Sequence, residues 1–116
     1  MAGVRRAAAR HLLIKGDGRT HCVPISDIDW CEADRNYVQL HVGSRTLHIR
    51  RTMAEVSARL GPHFVRISRT TIVNVDRIVE LQPTATGEHV VVLRGGESRR
   101  LTKGYRHEFM NKFLVL

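Results

Sequence analysis

The feature that most constrains this chain is the short interval at which turn residues recur. Gly16-Asp17-Gly18, Asp34-Arg35-Asn36, Gly43-Ser44 and Gly95-Gly96 punctuate the sequence, and the segments between them are β-branched or alternate apolar with polar residues. Such segments leave little room for helices, whereas each suits a strand closed by a tight turn. The expected architecture is mainly β, an elongated antiparallel sheet domain with short helices.

The clearest strand is residues 37–42, where Val38, Leu40 and Val42 take one face and Tyr37, Gln39 and His41 the other. Its partner follows after Gly43-Ser44. Residues 45–50 put Leu47 and Ile49 on one face and Thr46, His48 and Arg50 on the other, so a half-buried hairpin with a basic polar face is expected. Strand character returns at residues 64–67, 78–82, 89–93 and 98–101, the last two joined across Gly95-Gly96. One internal segment is helical by pattern: Thr52-Met53-Ala54-Glu55 has capping-box spacing, Met53, Val56 and Leu60 recur at helical intervals, and Gly61-Pro62 ends the run. A short C-terminal helix is expected over residues 105–113. Trp30 and Phe64 are the first aromatic residues expected in the core, and Asn74 is expected to satisfy nearby backbone in a turn.

With 116 residues, 42% of them hydrophobic, the chain is long enough for one core and too short for two ordinary domains. The expected division is residues 1–10, rich in Ala and Arg, as a linker or frayed segment, and residues 11–116 as the domain. No apolar run approaches the roughly 20 residues of a membrane span, and residues 1–10 lack the apolar stretch of a signal peptide, so a cytoplasmic chain is expected. Cys22 and Cys31 read as ordinary strand residues. Together with His21 they lack the second closely spaced pair that would complete a zinc set. No cofactor is expected.

A formal charge of +8 and a pI near 10.7 point to a polyanionic partner. The charge is segregated along the chain: Asp27, Asp29, Glu32 and Asp34 fall in residues 26–34 with no cation, while residues 35–77 carry eight Arg against Glu55 and Asp76. Such segregation suits a molecule with one side turned toward phosphates. Sixteen Arg against three Lys carries little weight, because GC-rich codon usage enriches Arg everywhere. At 5% of the chain, aromatic residues are too few for the interleaved stacking platform of single-strand binders. The seven His are scattered, and His41 and His48, expected to face each other across the Gly43-Ser44 hairpin, form a polar-face pair with no nucleophile beside it. An enzyme is therefore not expected.

Three stretches carry a resemblance: Ile28-Asp29-Trp30-Cys31-Glu32-Ala33 with Asn36-Tyr37-Val38, then Phe64-Val65-Arg66-Ile67-Ser68-Arg69, then Thr71-Ile72-Val73-Asn74. In order and spacing they resemble the LytTR family of bacterial DNA-binding domains, and the likeness extends over residues 14–113, including Leu101-Thr102-Lys103. The resemblance implies a domain that reads double-stranded DNA with loops to regulate transcription, often C-terminal to the receiver domain of a response regulator. On that ground residues 1–10 would be linker from a longer protein. It places base-reading roles on Asn36, Arg69 and Lys103. Asparagine suits the N6 and N7 edge of adenine, arginine the O6 and N7 edge of guanine, and lysine guanine or a phosphate.

The DNA-backbone contacts expected to flank them are Arg45, Arg50, Arg51, Arg66, Ser68, Arg99, Arg100 and Arg106, with Arg66 alternatively pairing with Glu32 or Asp34. The chain departs from the family pattern at Ser68, where His is usual, at Thr70, where Ser is usual, and at Thr102-Lys103, where Ser-Arg is usual. These changes keep hydrogen bonding or charge but leave the preferred base sequence open. Two copies on repeated half-sites are expected. The rival readings are an RNA-binding β module and a domain that binds an acidic protein.

Overall fold

The computed structural model describes residues 9–116; the first part of the expected linker, residues 1–8, lies outside the described residues. Among the described residues ten strands form three antiparallel sheets. β1 (His11–Gly16) and β2 (Arg19–Pro24) form a hairpin across Asp17-Gly18, whose φ values of 50° and 74° are those of a tight primed turn. β3 (Trp30–Asp34), β4 (Tyr37–Val42), β5 (Arg45–Ile49), β6 (Phe64–Ser68) and β7 (Thr71–Asn74) form the central sheet in the order β5-β4-β3-β7-β6. β8 (Ile78–Pro83), β9 (His89–Leu93) and β10 (Ser98–Leu101) form the third sheet in the order β10-β9-β8. The principal extents are 47 × 39 × 24 Å.

The central sheet is buried on both faces where β3, β6 and β7 meet, because alternate side chains enter two separate cores. Cys31, Phe64 and Ile72 join Ile14, Val23 and Ile25 of the β1–β2 side, together with Val38, Leu40 and Val42 of β4. Trp30, Val65, Ile67 and Val73 join Val91, Leu93 and Leu101 of the third sheet and Phe109 of the C-terminal helix. Trp30 and Phe64 are both buried, as expected, but in opposite cores. All four residues of β7 are buried, and each fully buried Val or Ile there contributes roughly 1.5–3 kcal/mol relative to exposure.

α1 (Met53–Leu60) carries its capping box as the spacing predicts: Thr52 Oγ1 accepts from Glu55 N at 3.1 Å, and Glu55 Oε1 accepts from Thr52 N at 3.0 Å. Met53, Val56 and Leu60 turn into the first core, and Gly61 ends the helix at φ 86°, a conformation that a Cβ would strain. The C-terminal helix is shorter than expected. Residues 103–105 form a 3-10 turn, α2 spans Arg106–Met110, and the chain then tightens, Phe113 N donating to Met110 O at 3.1 Å. The register of the β4–β5 hairpin also differs from expectation, since His41 lies opposite Thr46 and His48 opposite Gln39, so the two His are diagonal.

Asn74 is 2% exposed, donates to Ile28 O at 2.9 Å and accepts from Asp76 N at 2.9 Å. It ties the turn after β7 to the segment before β3, which is the structural role its side chain suggested. Among the described residues no helix is long and apolar enough to cross a membrane.

Candidate nucleic-acid interface

The three residues assigned to base reading lie in three turns that two backbone hydrogen bonds hold at one end of the molecule. Asn36 stands in the β3–β4 turn and Arg69 in the β6–β7 turn. These neighbour each other because β3 pairs with β7, and Ala33 N donates to Thr70 O at 2.8 Å beyond the last paired residues. Lys103 follows β10. Thr102 N donates to Ile67 O at 2.9 Å, which brings the 103–105 turn beside the end of β6. All three side chains are exposed.

Local chemistry shapes each turn. Arg35, not Asn36, takes the left-handed conformation, at φ 58°. Ser68 Oγ accepts from Thr70 N at 3.2 Å, and Arg66 Nη2 donates to Arg69 O at 2.7 Å. The Arg66 guanidinium lies 5.5 Å from the centre of the Tyr105 ring, spanning the Arg69 and Lys103 turns. Neither Glu32 nor Asp34 holds it. Arg66 and Ser68, expected at DNA phosphates, also support the Arg69 turn from within. The Lys103 stem passes the 84–88 turn, and a Cβ added at Gly87 would meet Lys103 Cε at 3.5 Å.

The other expected phosphate contacts divide. Arg50 and Arg51 follow β5 at the same end, since Ile49 pairs with Val38, and both are exposed, Arg51 lying 3.6 Å from Glu55. Arg106 is exposed directly after the Lys103 turn. Arg100 is exposed and 3.5 Å from Glu88. Arg45 belongs elsewhere. It pairs with Val42 at the opposite end of the hairpin, roughly 14 Å along the strands, in a hollow shared with Asp27, Asp29 and Arg77. Arg99 is also diverted: its guanidinium lies 4.2 Å from the centre of the Trp30 ring, bonds Glu97, and reaches Glu32 at 3.4 Å. Sequence reasoning missed Arg35, an exposed cation in the Asn36 turn; its signal was its place beside Asn36.

Electrostatics follow the same division. Asp29 takes Arg77 Nε at 2.8 Å and Gly43 N at 3.0 Å at the far end, whereas Arg35, Arg50, Arg51, Arg69, Lys103 and Arg106 gather at the turn end. Acids at the cationic end include Asp34, bonded by Gln39 at 3.1 Å, and Glu55 beside Arg51. Trp30 stacks on His41 at 3.9 Å with 7° between the ring planes. Burial holds His41 below its ordinary value; the Glu32 and Glu97 carboxylates oppose this, and Arg99 and His48 add to it. Burial pushes the Cys31 thiol up to about 12, so it stays protonated at neutral pH. Among the described residues no cluster of His, Cys, Asp and Glu has metal-site geometry.

Fold and charge together define a class, the mainly β domains built of three antiparallel sheets with one cationic end. Residues 18–114 match the LytTr DNA-binding domain family, and the chain belongs to it. Over 85 residues, 73% of this chain and 34% of the relative, it is 29% identical to the positive alginate biosynthesis regulatory protein of Pseudomonas aeruginosa. Over 113 residues, 97% of this chain and 46% of the relative, it is 23% identical to the sensory transduction protein LytR of Streptococcus agalactiae serotype V. The chain therefore spans between a third and a half of the length of these curated relatives. A solved LytTr DNA-binding domain of a response regulator from Bacillus cereus has the same fold, with a TM-score of 0.80 at 21% identity, covering 90% of this chain and 96% of that one.

Proposed function

We propose that this chain binds specific double-stranded DNA sequences to regulate transcription, and that the turns bearing Asn36, Arg69 and Lys103 enter the major groove while Arg50, Arg51 and Arg106 neutralise flanking phosphates. The observation that carries this reading is the gathering of the three turns at one cationic end by the Ala33–Thr70 and Thr102–Ile67 backbone bonds. The family supplies the ligand class, and the two backbone bonds that join the turns support a reading in which neighbouring turns contact neighbouring base pairs. Two copies occupy repeated half-sites in this reading, and in a longer protein a receiver domain would precede the chain. Among the described residues Trp30 and Phe109 are buried and Tyr37 is the one exposed ring beside the three turns, too few for the successive stacking of single-strand binders, which favours duplex DNA.

The test is selection of duplexes from a randomised pool, followed by affinity measurement of the winner against a scrambled duplex at physiological salt. Specific reading predicts a repeated motif favoured by about a thousandfold or more. No enrichment, or displacement of duplex DNA by A-form RNA, would overturn it.

A further inference from the structure

A cleft of about 800 Å³ lies between the β1–β2 hairpin, the end of β5 and α1. Ile14, Ile25, Val56 and Leu60 give it apolar walls. Two features suit it to an extended acidic peptide. First, residues 11–15 line it without a gap; since side chains alternate across a strand, unbroken lining means that β1 presents its backbone edge. β1 pairs with β2 alone and β5 with β4 alone, so among the described residues both edges facing this region lack a further strand. Second, the exposed cations Lys15, Arg50, Arg51 and Arg59 border the cleft against Glu55, whose carboxylate already serves Thr52 and Arg51. Leu13, at the middle of this lining, is 74% exposed.

We propose that this cleft binds an acidic, extended segment of a partner protein as an added strand on β1, with apolar side chains entering the cleft and carboxylates meeting the bordering cations. Main-chain hydrogen bonds to the open edge supply affinity, and side-chain alternation supplies selectivity. The cationic border rejects a basic segment, and the open strand edge with apolar walls suits a peptide backbone with alternating apolar side chains. Arg50 and Arg51 belong both to this border and to the proposed DNA-facing end, so occupancy weakens DNA binding; that consequence alone rests on the DNA-binding reading above.

The test titrates the ¹⁵N-labelled chain, without DNA, with three probes: an acetylated peptide alternating Val and Glu, the same peptide with Lys for Glu, and decanoate. The expected result is saturable shifts and slowed amide exchange at residues 11–15 with the acidic peptide alone. Leu13→Ser combined with Arg59→Glu, both exposed positions, weakens it about tenfold, equivalent to about 1.4 kcal/mol, with the amide spectrum confirming an intact fold. Shifts confined to the Asn36 and Arg69 turns, equal binding of the Lys peptide, or saturation by decanoate in place of the peptide would overturn the proposal. Because the readout contains no DNA, failure of the DNA-binding reading leaves it standing, and the reverse holds for duplex selection.

Discussion

At the scale of single residues, the cations that look alike in sequence do different work. Arg66 and Ser68 hold a turn, Arg99 covers Trp30, and Arg45 sits among acids, while Arg50 and Arg69 stay exposed at the cationic end. Arg69→Ala is expected to reduce discrimination between the selected and scrambled duplexes by roughly 1–3 kcal/mol. Arg50→Ala is expected to weaken both duplexes alike. Equal losses for both variants on both duplexes would contradict the division of roles. His41 yields a pH prediction of defined sign. Its folded value lies below the ordinary 6.5, so as pH falls the unfolded chain takes the proton first, and stability is lost as pH drops below 6.5 toward the folded value. Urea melts followed by the fluorescence of Trp30, the only Trp, should show the midpoint falling between about pH 7 and pH 5, and falling less in His41→Gln. A pH-independent difference between the two proteins would remove His41 as the cause.

At the scale of elements, patterns that act locally were legible and patterns that need neighbours were not. The capping box, the apolar spacing of α1 and the terminating Gly61 all lie within ten residues, and each formed as read. Thr52→Ala removes the acceptor for Glu55 N and should cost about 1 kcal/mol, measured by denaturant unfolding. No change would mean that packing of Met53, Val56 and Leu60 holds the helix without its cap. The β4–β5 hairpin formed around Gly43-Ser44, but its register set His41 against Thr46. β7 shows the limit most plainly. A four-residue run buried on both faces has no alternation of polarity to report which side faces which core.

At the scale of the whole molecule, cations from distant parts of the chain converge because strand order, not sequence distance, sets neighbourhood. β3 pairs with both β4 and β7, which places the Asn36 turn beside the Arg69 turn, and the second core docks the third sheet so that Lys103 completes the group. A surface assembled this way binds a polyanion with strong salt dependence. The slope of log affinity against log salt is expected to flatten by about one unit in Arg50→Ala, while Arg45→Ala, at the far end, should leave it unchanged. Equal flattening by both would show that DNA contacts extend over the whole surface.

The sequence by itself determined the antiparallel β class, the single internal helix, the burial of Trp30 and Phe64, and the three turns that carry Asn36, Arg69 and Lys103. Each rests on local spacing, on polarity repeating every second or every third to fourth residue, or on a motif string. Only the tertiary structure decided that Trp30 and Phe64 occupy opposite cores, that Arg99 is held on Trp30 by Glu32 and Glu97, and that Arg45 stands apart from the other cations. The physical reason is that a side chain's partners across a sheet are set by strand pairing and by the layer packed above it. Both join residues tens of positions apart, which no local pattern encodes.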